Sequence, residues 1–172
     1  DRLPQVGVYA AVLAGSCSAE TLEKIERFAA SGQALALYPL ALARDVRESM
    51  GRDVFVLGSI GPLGKYLAPL GAIEPEEARA AFREQAEGLL EGGVDGFVIE
   101  TLSDLVEVRL AVEAVRAISD LPVVTTLAFT EESVTYLGRS PVEVARALRA
   151  LPVQAIGANC SAGSRVRYVV LE

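Results

Sequence analysis

The feature that most constrains this chain is a repeated switch between short apolar runs and amphipathic helical stretches, at the roughly 30-residue spacing of a βαβ unit. Val6 to Leu13 reads as a buried strand ended by Gly15, and Ser18 as the cap of a helix from Ala19 to Ala30. A second helical stretch runs from Pro39 to Met50. Val54 to Ile60 is a near-continuous apolar run, as befits a strand buried on both faces. The turn Gly61-Pro62-Leu63-Gly64 follows it. Pro75, with Glu76 and Glu77 behind it, opens a helix that reaches about Leu90 and stops at Gly92-Gly93. Phe97 to Glu100 is the next strand, and Ser103 or Asp104 caps a helix with Leu105, Val108, Val112 and Val115 on one face. Val123 to Leu127 is a strand, Thr130 to Gly138 a polar excursion, and Pro141 opens a helix over Val142 to Ala150. Val153 to Ile156 reads as a fifth strand, ending in Gly157-Ala158-Asn159-Cys160-Ser161. The tail from Arg165 to Glu172 fits the start of another helix.

Strands separated by helices pair in parallel through right-handed crossovers, which collects every strand's carboxyl end on one edge. Two architectures satisfy this: part of a (βα)8 barrel, or an open five-stranded doubly wound sheet. In both, ligands bind beyond the strand ends, so Ser59, Glu100, Thr125, Thr126 and Cys160 are the positions to weigh. A part-barrel leaves sheet edges that a second copy could cover, an expected route to a homo-oligomer.

Composition closes off several chemistries. The 172 residues carry a net charge of −7, only two lysines (Lys24 and Lys65) and no basic run, which argues against nucleic acid and anionic membrane as partners. No apolar run approaches the ~20 residues of a membrane span. Two cysteines, Cys17 and Cys160, make no disulfide framework, so a reducing cytoplasm is the expected compartment. Histidine is absent, which removes Ser-His and Cys-His catalysis and imidazole metal sites.

Glu100 ends an apolar strand, where a charge is costly unless paired or used. It reads either as a group for a substrate ammonium or a proton, or as a carboxylate satisfied by backbone N–H groups or an arginine. Cys160 reads as a nucleophile or metal ligand, or as a small buried hydrophobe. Gly58 to Gly64 lacks the Gly-Lys-Ser/Thr of a phosphate-binding loop. The Gly15-Ser16-Cys17-Ser18 turn could hold an anion on its N–H groups or simply cap a helix.

The segments after Gly51 resemble the homocysteine S-methyltransferase family. The matching pieces are Val56 to Gly64, then Glu91-Gly92-Gly93-Val94-Asp95, then Ile99-Glu100-Thr101 with Asp104 and Glu107. Leu127-Ala128-Phe129-Thr130 with Gly138 and Gly157 to Ser161 complete the set, in family order. The resemblance implies a (βα)8 barrel that forms methionine by methyl transfer to homocysteine. It implies a zinc ion on three thiolates, of which Cys160 is the first, and Glu100 as the receiver of the amino group. Ser59 and Asn159 join Glu100 as substrate-binding candidates, and a folate or cobalamin donor is implied for the full-length protein. The family's adjacent cysteine pair, in Gly-Gly-Cys-Cys-Gly, has no counterpart here. The expectation is therefore an incomplete zinc site and an isolated chain with little or no turnover.

Gly15-Ser16-Cys17-Ser18-Ala19-Glu20-Thr21, with Asp1 to Leu42 around it, makes residues 1–45 resemble the nucleotide-binding region of four-carbon acid-sugar kinases, which would set Ser16 and Ser18 near ATP phosphates. The expected organisation is thus a βα segment of different origin over 1–50, joined to a partial methyltransferase-like barrel over 51–172. The alternatives are a non-catalytic or chimeric α/β domain, and a nucleotide-binding module through Gly15 to Thr21.

Overall fold

The computed structural model describes residues 43–45, 47–48 and 55–160. The expected strand at Val6 to Leu13, the helix at Ala19 to Ala30, the Ser16 and Ser18 turn and the tail from Arg165 lie outside them. The chain divides into two compact units, one comprising residues up to 58 with 87–96, the other 59–86 with 97 onward.

Over residues 57–158, four strands and three helices alternate: β1 (Leu57–Ile60), α1 (Pro75–Glu91), β2 (Gly96–Leu102), α2 (Leu105–Arg116), β3 (Val123–Leu127), α3 (Pro141–Arg149) and β4 (Ala155–Ala158). Residues 43–45 and 47–48 are helical, within the stretch expected from Pro39 to Met50. The strands lie in one sheet in the order β1-β2-β3-β4. β2 pairs with β3, and β3 with β4, both in parallel. Neighbours in space are neighbours in sequence throughout. A doubly wound sheet reverses its strand order at a switch point, and no reversal occurs among the described strands. The order is that of a (βα)8 barrel, of which this is a part.

Local chemistry sets the element boundaries. Pro75 and Pro141 supply the fixed φ that starts a helix without a wasted donor. Ser140 and Glu143 complete a reciprocal capping box on α3. Asp104, not Ser103, caps α2, its Oδ1 accepting the Val106 N–H at 2.8 Å. After α1, Gly93 takes φ +76°, and its N–H reaches back to the Leu90 carbonyl. Val108, Leu110, Ala111, Val112, Ala114 and Val115 of α2 are all buried, a wider apolar surface than the single expected face.

In the first unit, Asp95 Oδ2 accepts the Val56 N–H at 2.7 Å and pairs with Arg47 at 2.7 Å, which ties the start of β1 to the turn before β2. In the second, Arg116 at the end of α2 donates to the carbonyls of Leu121 and Pro152 and to Gln154 Oε1. That same oxygen accepts the Val123 N–H at 2.7 Å, so one guanidinium aligns the entries to β3 and β4. No helix among the described residues is long and apolar enough to cross a membrane.

Candidate functional site

The four site residues predicted from strand ends and loops within the described region come together in the second unit. Ser59 lies in β1, Glu100 in β2, and Asn159 and Cys160 directly follow β4. Ser59 Oγ–H donates to Glu100 Oε1 at 2.7 Å. Asn159 Nδ2 donates to Glu100 Oε2 at 2.9 Å. Each carboxylate oxygen thus has one neutral partner. Neither is the backbone N–H or arginine that the bland reading of Glu100 required. A carboxylate offers about four acceptor positions, so two fixed donors leave room for an incoming ammonium.

A bulge makes this geometry. Ile99 pairs with Thr125 and Leu102 with Leu127, so three steps along β2 oppose two along β3. The extra residue is accommodated at Thr101, which adopts φ +66°, a rare conformation for a β-branched side chain. Adjacent residues of a regular strand point to opposite faces, yet both Glu100 and Thr101 reach Asn159. Thr101 N–H donates to Asn159 Oδ1 at 3.1 Å, and Asn159 Nδ2 donates to Thr101 Oγ1 at 2.8 Å. Asn159 therefore cross-links the ends of β2 and β4 through both halves of its amide.

Cys160 is exposed, which removes the reading as a buried hydrophobe. It also has positive φ, at +44°. Thr101 Oγ lies 3.6 Å from its sulfur with a hydroxyl hydrogen to donate, and Asn159 Nδ2, whose two hydrogens point to Glu100 and Thr101, lies 3.7 Å away. The thiol and the Glu100 carboxylate thus share two neighbours, Asn159 and Thr101.

Thr125 and Thr126 do not join this cluster. Thr125 is fully buried in β3, and neither hydroxyl has a hydrogen-bond partner. Two residues that do matter carried no assigned role in the sequence. Thr101 was hidden because nothing in its identity foretells positive φ. Glu107 was visible only as one of the family-like pieces behind Glu100, with no role attached. It is 7% exposed, and its Oε1 accepts the Leu63 N–H at 2.8 Å. Burial pushes its carboxyl above the ordinary range, the Leu63 N–H opposes this, and the charge of Asp104 adds to it. A cleft of about 230 Å³ opens beside it, lined also by Pro62, Lys65, Tyr66 and Asp104.

Zinc requires three or four protein donors in a structural or catalytic site. Among the described residues no group of three or more His, Cys, Asp or Glu side chains is placed to hold a metal ion. Cys160 has the right donor chemistry, but the described donors do not make a zinc site.

A parallel sheet in sequential order, with its polar residues gathered where the strands end, defines a portion of a (βα)-barrel protein with a rim site. The chain belongs to the homocysteine S-methyltransferase family, whose profile matches residues 11–172. The match takes in most of residues 1–50 as well as the barrel segment. It is 35% identical over 131 residues to the methionine synthase of Mycobacterium tuberculosis, covering 72% of this chain and 11% of that protein. To the methionine synthase of Mycobacterium leprae it is 35% identical over 114 residues, covering 63% and 9%. The metallated form of the homocysteine methyltransferase MmuM from Escherichia coli superposes with TM-score 0.65 at 27% identity, covering 77% of this chain and 53% of that one. Its apo form gives 0.62 at 23% identity, a likeness of fold alone. The chain spans about a tenth of the length of the curated relatives it matches.

Proposed function

We propose that this chain carries the amino-acid-recognition part of a site for methyl transfer to the thiol of homocysteine, with methionine as the product. The observation behind this reading is the Ser59–Glu100–Asn159 hydrogen-bond chain ending beside the exposed Cys160 thiol. Glu100 would take the substrate ammonium, while Ser59 and Asn159 hold its two oxygens in one orientation. A fixed carboxylate at one end of a small amino acid determines where its sulfur lies, which is how binding prepares an in-line attack.

Cys160 is the described side chain suited to a zinc thiolate in a site completed by cysteines beyond those described. A folate or cobalamin methyl donor belongs to the same proposal for the full-length protein. So does self-association through exposed sheet edges. The kinase-like reading of residues 1–45 rests on Gly15 to Thr21 with Asp1 to Leu42 around it.

Calorimetric titration with homocysteine under reducing conditions, with and without zinc, tests the reading. Glu100→Gln is expected to weaken binding at least about tenfold, the cost of losing one charged hydrogen bond. Cys160→Ser should lower zinc uptake and remove any gain in homocysteine affinity that zinc brings. Unchanged affinity in Glu100→Gln would overturn the assignment of the ammonium site. Equal zinc uptake by Cys160→Ser and the wild type would remove the metal role.

A further inference from the structure

We propose that Glu107 is a positioning residue, which locks the turn after β1 against the start of α2 and thereby holds the Ser59 hydroxyl on Glu100. The inference rests on the homocysteine reading above and deepens it.

The turn at residues 61–64 is short of other anchors. A methyl group added at Gly61 or Gly64 would meet no atom within 4 Å, so packing does not confine those positions. Gly64 has φ +74°, and Pro62 has no N–H to contribute. The Leu63 N–H is the donor in the middle of the turn, and Glu107 takes it. Two contacts therefore join the segment leaving β1 to the segment from β2 into α2. Ser59 meets Glu100 at 2.7 Å and Leu63 meets Glu107 at 2.8 Å. The first of these belongs to the proposed substrate site, and the second joins the same two segments further along the chain.

A carboxylate at 7% exposure is an expensive way to fill space. An apolar side chain of the same length would pack there without the desolvation cost. What an apolar chain cannot do is accept the Leu63 N–H. Placement in the first helical turn, near the positive end of α2, is the location where a buried acid is best tolerated.

The decisive comparison is between Glu107→Met, which keeps the length and loses the acceptor, and Glu107→Gln, which keeps the acceptor and loses the charge. Amide hydrogen exchange is followed residue by residue, with homocysteine affinity measured in parallel. Glu107→Met should accelerate exchange at Leu63 and also at Thr101, whose N–H belongs to the Glu100–Asn159 network, while Phe97 and Ile99 stay as in the wild type. Its homocysteine Kd should rise about three- to tenfold, the effect of about one neutral hydrogen bond. Glu107→Gln should restore both readings. Uniform acceleration at all amides, or acceleration at Leu63 with Thr101 and the Kd unchanged, would show a merely structural role and overturn the proposal. Should Glu107→Met fail to fold, the wild type decides, since Leu63 exchanging at the rate of a free turn amide would overturn it too. If the wild type binds no homocysteine, the functional reading fails, while the exchange pattern still decides the role of Glu107.

Discussion

Replacing Asn159 by aspartate is expected to destabilise the folded chain by about 2–4 kcal/mol at neutral pH and by much less in mild acid. The substitution keeps shape and volume, and it keeps the acceptor that takes the Thr101 N–H. It removes the Nδ2 donor that lies 2.9 Å from Glu100 Oε2 and 2.8 Å from Thr101 Oγ1. In its place stands a second carboxylate oxygen facing the first. Two like charges at that distance cannot both ionise cheaply, so the pair holds one proton and titrates above the ordinary carboxylate range. The sign follows from linkage. In the unfolded chain both acids ionise normally, so the deficit grows as pH rises through the unfolded values and is complete above the raised folded one. Below the unfolded values both forms are protonated, and one acid can donate O–H to the other. Urea unfolding of both proteins at pH 7 and near pH 4 measures the difference. A deficit that does not change with pH would mean that Asn159 and Glu100 are not in contact.

The parts of this molecule that were legible in the sequence are those decided by local chemistry. β3 falls at Val123–Leu127 as expected, because Pro122 and an unbroken β-branched run define it. α1 and α3 begin at prolines, where backbone geometry leaves little choice. The gathering of Ser59, Glu100, Asn159 and Cys160 at one rim follows from parallel topology alone, since each lies near or just past a strand end. What escaped was decided at a distance. β4 runs over Ala155–Ala158 and not from Val153, because the Val153 N–H turns back to the Leu151 carbonyl before the ladder with β3 begins. An apolar pattern carries no record of that turn. β2 extends past Glu100 to Leu102 through a bulge. Threonine is among the last residues to be placed at positive φ, so the twist that turns Thr101 toward Asn159 was invisible. The role of Glu107 depends on a partner 44 residues away, and a helix's first turn is an ordinary place for an acid.

Phe97→Ala is expected to cost about 3–5 kcal/mol, the range for truncating a buried aromatic ring. Phe97 has no exposed surface, and it pairs with Val123 at the start of the β2–β3 ladder. Ile99, Val123 and Leu127 are equally inaccessible, and alternation puts all three on the same side of the sheet as Phe97. Val98 and Glu100 take the other side. Val98 is buried as well, so the strand packs core residues on both faces and keeps recognition on the face carrying Glu100. Folded domains hold only about 5–15 kcal/mol in reserve, so the lost ring removes a large share of it. Val106→Ala provides the contrast, because Val106 is 42% exposed and its truncation should shift stability by about 0.5 kcal/mol or less. Urea midpoints of the two variants, analysed with a common slope, test this, and a loss under about 1 kcal/mol in Phe97→Ala would refute the packing assigned to β2. That arrangement also predicts how homocysteine recognition should respond. In Phe97→Ala it should fall only in proportion to the unfolded fraction, whereas in Glu100→Gln it should fall in a fully folded protein.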